Sequence, residues 1–539
     1  MPTMNYLLPH AVDRHADLAP ECEAVRCGGA ALTYGELARR ANGLARLLAA
    51  EGVGRGDRVG VFMTKSVDIA VALHGIMKAG GAYVPLDPFA PPARTAFVIR
   101  DCGIRHLVTT DARLDQSGLL DEEDHGLSCL VGSRPRRGLR VIDWDEVIGA
   151  AADTAPSLPL TEQDLAYILY TSGSTGTPKG MMHTHRSGLS FALWGAATYG
   201  LDASDRVSNH APLHFDLSTF DFFAAEQAGA TTVIVPEAIT KLPADLARLM
   251  AREQIAVWYS VPFALIQLLE RGSLASVDLS YLRWILFAGE VFPVKHLRRL
   301  MELLPHVGFS NLYGPAETNV CTYYNVPAPP PSTTDEPVPI GKACANVETI
   351  VVDDQDRAVA PGEVGELVIR GPVMMRGYWA RPELNARAFF RRPVFGGLYE
   401  DVFYRSGDVV QELPDGNLKY IGRKDRQIKT RGYRVELDEV EAALLSCPAV
   451  EEAAAYAIPD GQGSTLIEAA VTPKDGLTVT ADVVLAAAAG RLPGYAVPVT
   501  LHVLAAFPRT STGKIDRLEL VTRVSGQREV GQVASNLSR

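Results

Sequence analysis

The sequence predicts an α/β protein: a large N-terminal region of doubly wound α/β subdomains with a small β subdomain, followed by a small α+β C-terminal domain. Three observations carry this. Up to about residue 320, short apolar runs alternate with segments of helical periodicity, the order that a parallel sheet and its covering helices require. A Pro-, Thr- and acid-rich connector at 327–339 then gives way to a stretch in which strand signals dominate. Beyond Arg434, helix and strand signals mix again as far as Arg517.

The elements follow in order. Thr33, with Glu36 three residues on, is a capping box and starts a helix. A strand over 58–62 precedes a helix over 66–77, which Lys78-Ala79-Gly80-Gly81 ends, and the chain re-enters the sheet over 82–87. Residues 122–140 are mostly polar or loop-like. Leu165 to Tyr170 reads as a buried strand. Strands over 230–235, 255–259 and 282–288 surround a helix over 242–252. Parallel sheets place ligands beyond the carboxyl ends of their strands. Tyr259, Ala288-Gly289-Glu290 and Tyr313-Gly314 lie at such ends and are expected to converge on one cleft. After the connector, strands over 348–352 and 365–370 open a β subdomain expected to end near Asp408, and the turn 413–417 joins two more short strands. The tail from Gln527 is polar and expected to be disordered. No internal repeat is present.

Composition narrows the function. The 539 residues are 47% hydrophobic, enough for two or more domains with large cores. With 52 basic and 63 acidic residues the net charge is −11, which disfavours nucleic acid as a partner. Seven scattered cysteines make no zinc spacing, because Cys22 and Cys27 lack a second close pair. Their odd number and the absence of a leader point to a reducing cytoplasm. No apolar run reaches the length of a membrane span.

The stretch from Thr171 to Gly180 carries the clearest chemistry. Thr171, Ser172, Ser174, Thr175 and Thr177 supply hydroxyl donors, and Gly173, Gly176 and Gly180 let backbone N–H groups surround an anion. Lys179 adds a mobile positive charge. Pro178 before Lys179 and Gly180 after it exclude a Walker A loop. The competing reading is an ordinary surface turn, which the apolar strand before it and the Pro-Lys-Gly ending disfavour.

Single residues are more ambiguous. Asp408, beside Gly407, suits either a ribose-binding carboxylate or a plain turn. Glu317 and Thr318 suit a magnesium site, or a helix start. Asp216, between Phe215 and Leu217, is costly to bury unless paired, and a substrate ammonium would pair it. His210 and His214 flank Pro212, so core or pocket wall is favoured over a metal pair. Lys514, on a Gly-containing turn, could neutralise a carboxylate or phosphoryl oxygen, or simply be solvated. The window 419–434 holds seven basic residues and one acid. Its two tyrosines form no stacking series, which favours a hinge and substrate-facing loop over a nucleic-acid patch.

Together these stretches resemble the amino-acid adenylation domains of nonribosomal peptide synthesis, within the adenylate-forming superfamily. The likeness spans residues 20–520. It includes Leu32-Thr33-Tyr34-Gly35-Glu36-Leu37, Lys78 to Asp87, the phosphate loop, Asn311 to Glu317, Gly365 to Tyr378 and Tyr404 to Asp408. It continues through Gly422 to Glu441, Leu492-Pro493-Gly494-Tyr495 and Thr512 to Arg517. Ala316, Ser406 and Thr512 depart from the family's usual Thr, Thr and Asn. All three are small, and none removes a charge.

The resemblance implies two steps. A substrate carboxylate attacks the α-phosphorus of Mg·ATP, giving an aminoacyl-adenylate and pyrophosphate. A carrier-protein phosphopantetheine thiol then displaces AMP. It implies an adenylation core at 1–424, a mobile C-terminal domain at 425–520 with the catalytic Lys514, and a polar tail at 521–539. Thr171, Ser172, Gly173, Ser174, Thr175, Gly176 and Lys179 would handle the leaving phosphates. Tyr313 would stack near adenine, Asp408 and Arg423 would hold ribose, and Glu317 would serve magnesium. The C-terminal domain would rotate about Asp425, bringing the face near Arg431 and Gly432 to the thiol. The basic window would attract an acidic carrier.

By the same resemblance the amino-acid pocket is Asp216, Leu217, Phe220, Tyr259, Leu286, Ala288, Leu312, Val320 and Cys321, with Lys514 at the carboxylate. Asp216 would meet the α-amino group. No second charge lines the apolar remainder, so charged and strongly polar side chains are disfavoured. The set is similar to that of free-standing proline-activating enzymes, whose prolyl product is later oxidised to a pyrrole. L-Proline is the expected substrate and a separate carrier protein the expected partner. The alternatives are another small apolar amino acid, an acyl-coenzyme A ligase, or a non-catalytic nucleotide-binding module. Asp216 opposes the second, and retention of the chemistry residues opposes the third.

Overall fold

A computed structural model of the chain describes residues 5–122, 125–173, 177–461, 464–509 and 515–524. Its contacts gather into two compact units. The first comprises residues up to Pro88, Thr95–Tyr170 and Lys179–Asp425; the second comprises Phe89–Arg94, Thr171–Pro178 and the chain from Arg426.

Two large sheets build the first unit. One runs, in spatial order, Lys342–Ala343, Thr322–Val326, Gly308–Tyr313, Trp284–Phe287, Val257–Ser260, Arg206–Asn209, Thr231–Ile234, Glu23–Cys27 and Ala30–Thr33. Its central strands, from Gly308–Tyr313 to Glu23–Cys27, are parallel, and antiparallel strands close both edges. The other runs Gly377–Tyr378, Lys179–Thr184, Leu165–Thr171, Ala82–Pro85, Arg58–Phe62, His106–Thr109, Cys129–Val131 and Arg140–Ile142. Parallel strands covered by helices on both faces are buried throughout, so they read as unbroken apolar runs such as Ala82–Pro85.

Local signals explain the elements that the sequence announced. Thr33 accepts from the Glu36 backbone while Glu36 reaches back to the Thr33 N–H, and the helix Tyr34–Ala50 follows. The helix Pro243–Arg252 starts on a proline, whose fixed φ suits a first turn. The doubly wound expectation holds. Residues 122–140, however, are not all loop: Cys129–Val131 is a buried strand of the second sheet. Three apolar residues between polar flanks are too few for periodicity to reveal.

The β subdomain extends past Asp408. Its antiparallel sheet holds Glu348–Val352, Val364–Arg370, Tyr399–Glu412 and Phe389–Val394, with Leu418–Arg423 paired to the long third strand. Asp408 therefore lies within a strand, not in a terminal turn. The register slips there, because Val368 faces Arg405 while Glu366 faces Val409. Gly407, at φ 71, permits that bulge.

The second unit pairs Gln427–Thr430 with Tyr433–Glu436, and a sheet of Val450–Pro459, Thr465–Pro473 and Thr500–Val503 carries the helices Leu437–Leu445 and Ala481–Ala489. A helix over 517–524 buries Leu520 and Val524 against Ala454, Tyr456 and Phe507. Among the described residues no helix is long and apolar enough to cross a membrane. The cysteines form no disulfide.

Candidate active site

The candidate site gathers at the carboxyl ends of the first sheet's parallel strands. Leu217, Phe220, Tyr259, Leu286, Ala288, Leu312 and Val320 all belong to one buried apolar cluster, and Cys321 is buried next in sequence to Val320. Strand ends supply Tyr259, Leu286 and Leu312. Phe220 opens a π-helical turn, Phe220–Ala224, directly after the short helix Leu217–Thr219. Such wide turns re-aim side chains and recur at functional sites. The Phe220 ring meets Tyr259 edge-on at 5.5 Å and Tyr199 at 6.0 Å. Asp216 stands half-buried at the N-terminal end of that helix. Its negative charge adds to burial in pushing the Tyr259 phenol well above its usual range.

A buried polar anchor lies beneath this turn. Asp221 is wholly buried and accepts from Asn209 Nδ2 at 2.9 Å, while its carbonyl accepts from Thr232 Oγ1 at 2.9 Å. Burial pushes its carboxyl well above the usual carboxylate range. Lys65 Nζ donates to the carbonyls of Asn209 and His210 at 3.0 and 2.7 Å.

The polar side of the site is built on Glu317. Its side chain is wholly buried; the Tyr378 hydroxyl donates to Oε1 at 2.7 Å, and Lys179 Nζ stands 3.7 Å from the same oxygen. The Lys179 ammonium also lies 4.8 Å from the centre of the Tyr378 ring. Lys179 begins the strand Lys179–Thr184, and Tyr378 belongs to the strand paired with it. Glu317 sits in a turn between the strands Gly308–Tyr313 and Thr322–Val326, with no helix start there. That turn is tight: a side chain at Gly314 would strike the Asn319 carbonyl at 1.6 Å. Among the described residues no three His, Cys, Asp or Glu side chains converge on a metal position. One buried carboxylate beside Lys179 still fits Mg²⁺, a hard cation that shares its ligands with phosphate and water.

Asp408 accepts the Tyr313 hydroxyl at Oδ2 and Arg423 Nη1 at Oδ1, the latter at 2.8 Å. Burial first, then the Asp408 charge, pushes the Tyr313 phenol far up. A carboxylate offers about four acceptor positions, so two remain for hydroxyl donors. Arg423 also makes a paired contact with Asp425, Nε to Oδ1 and Nη2 to Oδ2, each at 2.6 Å.

Ser174, Thr175, Gly176 and Lys514 lie outside the described residues. Ser172 is buried, and the Gly173 backbone approaches Thr177 too closely for any side chain. Arg431 and Gly432 form the left-handed turn between Gln427–Thr430 and Tyr433–Glu436, at φ 51 and 85. His214 lies 3.8 Å from Asp87, and His210 donates to the Thr240 carbonyl. The basic window is less bare than its composition implied. Lys419, Arg423, Lys424 and Arg426 are ion-paired within their own units, to Glu336, Asp408, Asp354 and Glu441 respectively. Tyr378, Asp221, Asn209 and His183 went unnoticed in sequence. Alternation along Lys179–Thr184 puts His183 on the face of Lys179 and was the one usable signal.

A buried carboxylate paired with Lys179, close to the ends of a parallel sheet, suits an enzyme that activates acids with a nucleotide. The profile of the AMP-binding enzymes matches residues 12–379, and that of the AMP-binding enzyme C-terminal domain matches residues 439–514. The chain belongs to the AMP-binding enzyme family, an AMP-forming class of ligases. It is 38% identical over 504 residues to the L-proline--[L-prolyl-carrier protein] ligase of Pseudomonas fluorescens, covering 92% of this chain and 95% of that protein. It is 42% identical over 446 residues to the protein of that name from Streptomyces coelicolor, covering 81% of each. Among solved structures, the amide bond synthetase McbA from Marinactinospora thermotolerans superposes with a TM-score of 0.80 at 25% identity, covering 96% of this chain and 99% of that one.

Proposed function

We propose that this enzyme adenylates L-proline with Mg·ATP and transfers the prolyl group to the phosphopantetheine thiol of a separate carrier protein. The observation that carries this is the likeness along nearly the whole chain to two relatives named for that reaction. The buried apolar cluster at the strand ends is consistent with a small apolar side chain.

In the first step a proline carboxylate oxygen bonds to the α-phosphorus, the bond to the bridging oxygen breaks, and pyrophosphate leaves. Asp216 holds the secondary ammonium, whose charge offsets the cost of a half-buried carboxylate. Phe220, Tyr259 and Leu286 exclude water and set the depth of the pocket. Lys179 and the loop hydroxyls take up charge on the leaving phosphates. Magnesium, when bound at Glu317, neutralises phosphate charge. Asp408 and Arg423 orient the ribose, and Tyr313 lies against the base. Lys514 neutralises the reacting carboxylate. In the second step the thiolate sulfur bonds to the carbonyl carbon, the carbon–oxygen bond breaks, and AMP leaves. Division near residue 425 into an adenylation core and a C-terminal domain is part of this reading.

Intact mass spectrometry of a phosphopantetheinylated carrier incubated with enzyme, Mg·ATP and L-proline tests it. A mass gain of one prolyl residue on the carrier is expected. Loading of coenzyme A with the carrier left bare would overturn it.

A further inference from the structure

The strand Lys179–Thr184 touches the Glu317 turn twice. Its side chains alternate between faces, so Lys179 and His183 point the same way. Lys179 meets the Glu317 carboxylate. His183, wholly buried, donates from Nε2 to the carbonyl of Ala316, the residue before Glu317, at 2.9 Å. Its Nδ1 faces Ser187 Oγ at 3.3 Å. The imidazole stacks on Tyr167 at 4.8 Å and 15°, and Tyr167 stacks on Tyr83 at 5.4 Å.

Around Glu317 the chain lacks the regular pairing of a helix or strand, so its polar backbone must find other partners. Glu317's own carbonyl accepts the Met375 N–H at 2.7 Å. Asn319, in the left-handed region at φ 50, accepts from the Tyr167 hydroxyl at 3.4 Å and donates to the Val373 carbonyl at 3.3 Å. Of these tethers only the His183 bond comes from the strand that also carries Lys179. That one bond ties the backbone of the carboxylate to the strand of the phosphate-side lysine.

We infer that His183 is a positioning residue for Glu317: its Nε2–H bond to the Ala316 carbonyl fixes the carboxylate relative to Lys179, and so sets the affinity for Mg·ATP. The inference rests on the reading of Glu317 as the magnesium carboxylate. Groups that orient a metal ligand from behind typically govern affinity by roughly 10- to 100-fold.

Two substitutions separate the bond from the ring. His183→Phe keeps the stack on Tyr167 and loses the donor. His183→Gln keeps a donor and loses the ring. Mg·ATP binding by calorimetry and amide exchange across residues 314–320 are read in each, with L-proline binding as the control. Expected are a loss of roughly tenfold or more in Mg·ATP affinity and faster exchange in His183→Phe. His183→Gln should stay near wild type, with L-proline affinity steady in both. The reverse order, with His183→Phe normal and His183→Gln impaired, assigns His183 to packing and overturns the inference. Glu317→Gln is measured alongside. If it leaves Mg·ATP affinity intact, the magnesium reading falls and takes the inference with it. If it weakens binding while His183→Phe does not, the inference alone falls.

Discussion

The Tyr378 hydroxyl donates to Glu317 Oε1 across 2.7 Å, at the oxygen that Lys179 approaches to 3.7 Å. Tyr378 reaches it because Gly377–Tyr378 pairs with Met181 and Met182, on the strand that Lys179 begins. One strand pair thus sets a donor and a cation on one buried carboxylate. A hydrogen bond to a charged group contributes about 1.5–3 kcal/mol. Tyr378→Phe should therefore raise the Mg²⁺ concentration for half-maximal adenylation about tenfold and leave the KM for the amino acid unchanged. A magnesium titration at fixed ATP checks this.

Asp408 is expected to govern nucleotide affinity alone. Asp408→Asn keeps the shape and removes the charge that Arg423 and the Tyr313 hydroxyl both face. The KM for ATP should rise by an order of magnitude or more, and the melting temperature should fall, because Arg423 loses its buried partner and keeps only the more exposed Asp425. An unchanged KM for ATP would place the ribose elsewhere.

How much of this was legible follows from where each signal lies. The helix at Tyr34 and the strand at Arg58–Phe62 are written locally, in a capping box and an apolar run. The pocket residues came through the resemblance, since nothing in the spacing of Asp216, Tyr259 and Leu286 brings them together without the sheet order. Asp408 was misplaced because a bulge is a relation between two strands, and Ser406-Gly407 reads as a turn until Leu367 is set opposite. Asp221 and Asn209 were invisible because each acts through a contact that only the folded chain makes, whereas for His183 only strand alternation gave a hint. The basic window misled because four of its charges are met by acids distant in sequence.

On the proposed reading, Phe220 sets the reach of the pocket. Its ring is fully buried against Tyr199 and Tyr259. Phe220→Ala should open space, cost about 3–5 kcal/mol of stability, and shift preference from L-proline towards larger apolar amino acids. Competition between amino acids in one exchange assay reads this out. An unaltered preference would remove Phe220 from the pocket.

Acid should destabilise the fold through His185. This buried imidazole accepts from the Leu8 N–H at Nδ1, and burial holds its pKa down to about 3, against a partial rise from Asp164. Below the ordinary histidine value near 6.5 the unfolded chain takes up a proton that the folded chain refuses. Stability is thus fully present above about pH 6.5 and falls towards the folded value by roughly 1.4 kcal/mol per pH unit from this group. His185→Gln should be less stable at pH 7.5 yet lose less between pH 6.5 and 4. Urea unfolding at each pH checks it, and parallel curves would contradict it.

The central claim is that the pocket behind Asp216 takes L-proline. ATP–pyrophosphate exchange with purified enzyme and Mg²⁺, across the proteinogenic amino acids and pipecolate, tests it most directly. Exchange dominated by L-proline, and lost in Asp216→Ala, is the predicted result. Exchange dominated by another acid, or undiminished in Asp216→Ala, would contradict it.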